Sequence, residues 1–337
     1  MKPAVIAAAS LSLVATGCGS SSGTRPAPQV SPATPTAATT KPVSQRALAS
    51  VSAAAREADS QLRRQRSQPY AIGSVTLTLT DPSRTIGSAP RSFDTIIRYP
   101  KPVAGQAPGP FPLVAFGHGF AVTPDPYSPL LDAWTQAGFV VAAPVFPLEN
   151  ANAPGGPDEK DLDNQPADMS LVISSLTTGS AGRQGGLAGM IDSRHIAVTG
   201  QSDGGDTALA AAYDPRHRDP RIGAAMILSG AEDPFAAQFA MPSSGPPLLA
   251  VQGTADTINP PDMTYAFYNQ AASPKFLLRL IGAGHQPPYT EPGAELTAVA
   301  RTTIAFLDAV FKGHPARLNR LLAAGTAGDD SQLTGKQ

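Results

Sequence analysis

The pattern of hydrophobic and polar positions changes character near Pro69. Val75, Leu77 and Leu79 alternate with Thr76, Thr78 and Thr80, the period of a strand with one face in a core. A second strand follows over 93–99, with Thr95, Ile97 and Tyr99 opposite Asp94, Ile96 and Arg98. After it the apolar runs stop alternating: Leu113-Val114-Ala115-Phe116, Phe139 to Ala143, His195 to Val198, Ala224 to Leu228, Leu248 to Val251 and Phe276 to Ile281. Unbroken runs suit strands buried on both faces of a parallel sheet. Helix-like stretches lie between them at Ser128–Ala137, Ala167–Leu176, Asp206–Tyr213, Pro261–Gln270 and Ala294–Phe311. Entry strands followed by βα units predict an α/β fold: an open, mostly parallel sheet with helices on both faces. One domain over 68–325 accounts for the pattern, and 326–337 reads as a flexible tail. No internal repeat is evident.

Before Pro69 the chain has a different character. Met1-Lys2 precedes an uncharged run from Pro3 to Val14, too short to span a bilayer and of the right length for a signal-peptide core. It ends in Ala15-Thr16-Gly17-Cys18, which resembles the bacterial lipobox, with Ala15 where that motif usually has Leu. The resemblance implies a lipoprotein signal peptide over 1–17 and a lipid, palmitate included, on Cys18. It also implies anchoring to the cell membrane at its extracytoplasmic face. An ordinary secretory signal, or a short helix with a buried thiol, is the alternative. Residues 18–45 are rich in Ser, Thr, Pro and Ala and cannot bury enough surface to offset their ordering entropy, so they read as a disordered linker. Over 46–67 the composition favours a helix, with Leu48, Val51, Ala55 and Leu62 on one loose face.

Composition changes this picture mainly by exclusion. Hydrophobic residues make up 42% and charged residues 15%, a balance of a globular chain rather than a disordered one. The formal net charge is −1 and no Lys/Arg block is longer than Arg63-Arg64, so the basic stripe that a nucleic-acid partner demands is missing. Cys18 is the single cysteine, which leaves no partner for an internal disulfide.

The strongest chemical signal is Gly200-Gln201-Ser202-Asp203-Gly204, between the run ending at Thr199 and the small-residue helix that follows. A nucleophile on a strand-to-helix turn needs strained backbone at the serine and small residues two positions away on either side, and the helix N-terminus then favours a developing oxyanion. Ser202 is the candidate nucleophile. A glycine-rich turn with a capping serine is the plain alternative.

With that element in place, the chain resembles the α/β-hydrolase family over nearly everything after Ser74. The family order, nucleophile then acid then histidine, implies Asp256 as the acid, on the loop after Leu248–Val251. It implies His285 as the base, after Phe276–Ile281 and Gly282-Ala283-Gly284. Asp233, beyond the strand ending at Leu228, is the reserve acid. Asp206 reads as a helix-start charge, His195 opens a strand far from the active edge, and His217 and His314 read as solvated. Oxyanion donors are expected from the amide of Asp203 and from the loop Phe116-Gly117-His118-Gly119-Phe120. That loop resembles the His-Gly-Phe segment of chlorophyllase, platelet-activating-factor acetylhydrolase and polyester-hydrolase relatives. The match implies that Phe120 supplies the second amide and that its ring lines an acyl pocket, while His118 braces the loop through backbone hydrogen bonds.

No metal-ligand cluster or dinucleotide fingerprint is present, so no metal or cofactor is expected. Together these features predict a serine esterase acting on a small-molecule, lipid or polymer ester. An acyltransferase with the same triad, and a non-catalytic surface lipoprotein that keeps the fold for binding, are the alternatives. The segment from Pro147 to Pro166 is too short for a large lid.

Overall fold

The computed structural model describes residues 68–183, 185–231 and 239–336. The expected signal peptide (1–17), linker (18–45) and helix (46–67) lie outside these residues, as does Asp233. Strands β1 (Ala71–Ile86) and β2 (Ala89–Lys101) form the antiparallel entry hairpin. They are followed by β3 (Phe111–Gly117), α1 (Ser128–Gln136), β4 (Val140–Pro144), α2 (Gln165–Thr177), β5 (Ile191–Gln201) and α3 (Asp203–Tyr213). Then come β6 (Ala224–Leu228), β7 (Leu248–Gly253), α4 (Pro261–Gln270), β8 (Lys275–Leu280), short α5 (Pro287–Thr290), α6 (Ala294–Phe311), α7 (Ala316–Ala324) and β9 (Ser331–Lys336). The described strands form one sheet in the order β1-β2-β4-β3-β5-β6-β7-β8-β9. It is parallel from β4 through β8 and antiparallel at both margins.

The unbroken apolar runs are explained by what covers the sheet. Leu113, Ala115, Val140, Ala142, Ile196 and Val198 pack on one side, against Met169, Val172 and Ile173 of α2 and Ala208, Ala211 and Ala212 of α3. Their chain neighbours Val114, Phe116, Val141, Ala143 and Ala197 face the other way, against Leu130, Leu131 and Trp134 of α1 and Val299, Phe306 and Leu307 of α6. Successive side chains point to opposite faces, so a strand sandwiched between helices must be apolar at every position.

One expectation is overturned. Residues 326–337, expected as a flexible tail, carry β9, which pairs with β8 from Lys275↔Lys336 to Leu280↔Ser331. The exposed edge of β8 offers unpaired amides and carbonyls, and β9 satisfies them while burying Leu333. Ser331 fixes the turn before it by accepting from Ala327 N at 3.0 Å. The domain therefore runs to residue 336.

Candidate active site

All the parallel strands end at one edge, and the loops leaving that edge carry the candidate residues. The strand β5 ends at Gln201, Ser202 follows with φ 56° and ψ −127°, and α3 begins at Asp203. A non-glycine residue at positive φ is strained, and here the close packing around it over-determines the turn. A Cβ at Gly200 would meet Gly204 O at 2.0 Å, and one at Gly204 would meet Gly117 O at 2.1 Å, so neither position admits a side chain. Among the described residues, positive φ at a non-glycine occurs at Ala121, Ser202 and Ser229, on the loops after β3, β5 and β6. The strain is confined to the edge where the candidates meet.

The structure brings the three triad candidates together. Ser202 Oγ lies 2.8 Å from His285 Nε2, and His285 Nδ1 lies 2.8 Å from Asp256 Oδ2. Asp256 is held rigidly, because its Oδ1 accepts from Ile258 N at 2.9 Å and Asn259 N at 3.0 Å, while Gln252 Nε2 approaches Oδ2 at 3.2 Å. The acid and base loops are also tied to each other: Ala255 N donates to Ala283 O at 3.0 Å and Gly282 N to Thr254 Oγ1 at 2.8 Å. Asp256 is buried, whereas His285 retains some solvent contact. With both oxygens of Asp256 engaged, Nδ1 carries the proton and Nε2 offers its lone pair toward Ser202.

The loop after β3 lies against Ser202, since a Cβ at Gly119 would sit 3.2 Å from Ser202 Cβ. His118 is fully buried, and burial pushes its imidazole down to about 4, so it stays neutral. Its Nδ1 donates to Gly119 O at 2.9 Å and its Nε2 accepts from Phe146 N at 3.0 Å, which makes it a brace between two loops. Ala121 N donates to Glu149 O at 3.0 Å and closes the same junction. Phe120 is 43% exposed, and Ile258, two residues after Asp256, is exposed as well.

The remaining candidates have other partners. Asp206 accepts from Ala231 N, linking α3 to the loop after β6. His195 pairs with Asp192 at 2.8 Å within β5, and His217 lies 3.8 Å from Asp163. Among the described residues no group of three or more His, Cys, Asp or Glu side chains could hold a metal.

Three residues at the site carry no signal in the sequence. Gln201 sends its Nε2 to His285 O and Nε2, each at 3.2 Å. Tyr127, fully buried, donates its hydroxyl to Gln201 Oε1 at 2.6 Å and accepts from Gly119 N at 3.4 Å. Glu149 is buried next to Asp203. Only the position of Gln201, just before Ser202, could have drawn attention to it.

The chlorophyllase family model matches residues 74–261, more than half of the chain. The chain belongs to the chlorophyllase family. Membership makes it a carboxylic-ester hydrolase, and the matched span includes Phe120, Ser202 and Asp256 and ends before His285. No curated protein matches the chain. A solved structure of ferulic acid esterase from Streptomyces cinnamoneus aligns with a TM-score of 0.59 at 20% identity, covering 75% of this chain and 94% of that one. At that identity the likeness establishes the α/β-hydrolase fold.

Proposed function

We propose that the chain cleaves carboxylic esters through an acyl-enzyme on Ser202. His285 takes the Ser202 proton as Oγ attacks the ester carbonyl, and Asp256 holds the imidazole tautomer and stabilises the cation that forms. The amides of Asp203 and Phe120 receive the oxyanion. The protonated His285 then donates to the departing alkoxide, and water repeats the sequence to release the acid. The observation that carries the reading is the unbroken line from Ser202 Oγ through His285 to Asp256 Oδ2, with 2.8 Å at each step. Exposed Phe120 and exposed Ile258 favour an accessible ester, in a lipid or polymer or on a bulky small molecule.

The test is hydrolysis of short-chain p-nitrophenyl esters together with labelling by a fluorophosphonate probe. Wild type should do both. Ser202→Ala should do neither while keeping its circular dichroism. An unlabelled wild type would support the non-catalytic reading instead, and transfer of the acyl group to an added alcohol in preference to water would support an acyltransferase.

We place the enzyme at the outer face of the cell membrane, tethered through a lipid on Cys18. Among the described residues no helix is long and apolar enough to cross a membrane. Ala15-Thr16-Gly17-Cys18 and the Ser/Thr/Pro/Ala tract after it support the tether. Mass spectrometry should find a mature N-terminus at a diacylated Cys18, and Cys18→Ser should release the protein into the aqueous phase of a detergent partition. An unmodified Cys18 would reject the anchor.

A further inference from the structure

Glu149 stands where the two halves of the oxyanion site meet. It follows β4 and is fully buried. Its backbone carbonyl accepts from Ala121 N at 3.0 Å, one residue beyond Phe120. Its carboxyl faces that of Asp203, the residue whose amide is the other donor and whose Oδ1 lies 3.3 Å from Ser202 Oγ. One side chain and one carbonyl thus connect both oxyanion segments.

The chemistry of that contact is unusual. Among the described residues, no N–H or O–H donor reaches either carboxyl oxygen of Glu149. The charges that act on it most are the carboxylates of Asp203, Asp161 and Asp206, and the Tyr127 phenol is near enough to feel its charge. Asp161 is already paired with Arg91, at 2.8 and 2.7 Å, and Asp206 accepts from Ala231 N. A buried carboxylate at Glu149 with no donor of its own would be repelled strongly by the Asp203 carboxylate it faces, and a proton on Glu149 turns that repulsion into a hydrogen bond.

We infer that Glu149 is a positioning residue: as a neutral acid it donates a hydrogen bond to the Asp203 carboxylate, while its carbonyl holds Ala121, so that it sets the spacing between the Phe120 and Asp203 amides. The inference rests on the oxyanion assignment proposed above. Burial and the three neighbouring carboxylates support it by pushing the Glu149 carboxyl up to about 10. Glutamine, the same size and also a donor, can replace it in this role; alanine cannot.

The experiment compares wild type, Glu149→Gln and Glu149→Ala in p-nitrophenyl ester hydrolysis across pH, alongside infrared spectra at neutral pH. Glu149→Ala should lose roughly 10- to 100-fold in kcat with KM within about threefold, as expected when an oxyanion donor is misplaced. Glu149→Gln should recover most of that loss. Wild-type kcat should fall as pH climbs through about 10, where Glu149 ionises, and the fall should be absent in Glu149→Gln. Tyr127 does not confuse that limb, because burial pushes its phenol up to about 12. The wild-type spectrum should contain a protonated-carboxyl C=O stretch, above the amide band, that Glu149→Gln removes.

Full kcat in Glu149→Ala, equal damage in both variants, or absence of that band would each overturn the inference. Should Glu149→Ala fail to fold, the Gln variant's alkaline profile and the infrared band still decide. A wild type inactive on every ester would defeat the proposed function, while the band would report on the shared proton regardless.

Discussion

Gln201 places its side-chain amide nitrogen 3.2 Å from Nε2 of His285, the same ring nitrogen that Ser202 Oγ approaches at 2.8 Å. An amide N–H can meet that nitrogen only where it offers a lone pair, so the contact fits the tautomer that carries its hydrogen on Nδ1. Its second contact, to His285 O, holds the histidine loop. The amide oxygen is held in turn by Tyr127, which also meets Gly119 N. One chain of hydrogen bonds therefore links the β3 loop to His285.

Tyr127→Phe should break that chain at its centre. The substitution keeps the ring among Phe116 and Leu130 but strips Gln201 Oε1 of its donor and Gly119 N of its acceptor. Leaving buried polar groups unsatisfied costs about 1–3 kcal/mol. Urea denaturation should show that loss with an unchanged m-value, and kcat should fall more than KM rises. A variant as stable and as fast as wild type would remove Tyr127 from the site's support.

Asp256→Asn keeps the shape of the acid loop but turns a pure acceptor toward His285 into a group that can donate. The imidazole then favours the wrong tautomer, and turnover should drop on the order of 10⁴-fold by analogy with other serine triads. Asp233→Asn should change turnover little. Steady-state kinetics on both variants would exchange the two aspartates if the pattern came out reversed.

Much of this architecture is legible in the sequence because local pattern and tertiary burial agree. The buried runs over 113–116 and 224–228 must be apolar on both faces, and α4 and α6 match their expected spans. The elbow announces itself because Gly200 and Gly204 have no room for a Cβ. What escapes detection is set at long range. Residues 331–336 offer only Leu333 as a large apolar side chain, and their strand exists because the edge of β8 needs a partner. Glu149, in Pro147-Leu148-Glu149-Asn150, reads locally as an exposed loop acid; only the approach of Asp203 on α3 reveals its burial.

A buried ion cluster beside the site gives a prediction about stability. Arg91 is 2% exposed and holds Asp161 at 2.8 and 2.7 Å and Asp168 at 2.8, 3.1 and 2.6 Å, and Arg84 also reaches Asp168 at 2.7 Å. Gln165, at the start of α2, in turn accepts from Thr207 of α3 at 2.6 Å. Arg91→Ala leaves buried carboxylates without their main partner, a loss of about 3–5 kcal/mol. Thermal denaturation should show a large fall in Tm, and a shift of less than a degree or so would mean that the cluster contributes little.

Glu149→Gln should alter stability in a way that depends on pH with a definite sign. In the unfolded chain Glu149 releases its proton around its ordinary value of 4.5, whereas in the folded protein its carboxyl is pushed up to about 10. Between those values the folded state holds a proton that the unfolded state has released. Stability therefore falls as pH rises across this window, because the unfolded state binds fewer protons. Glutamine does not titrate and removes this contribution. Below about pH 4 both forms are neutral and the two proteins should unfold at similar temperatures; toward about pH 9 the variant should gain several degrees over wild type, the gain growing steadily between. Calorimetry in a series of buffers reads the difference directly. A difference that stays flat with pH, or that shrinks as pH rises, would mean that Glu149 is ionised in the folded protein and donates nothing to Asp203.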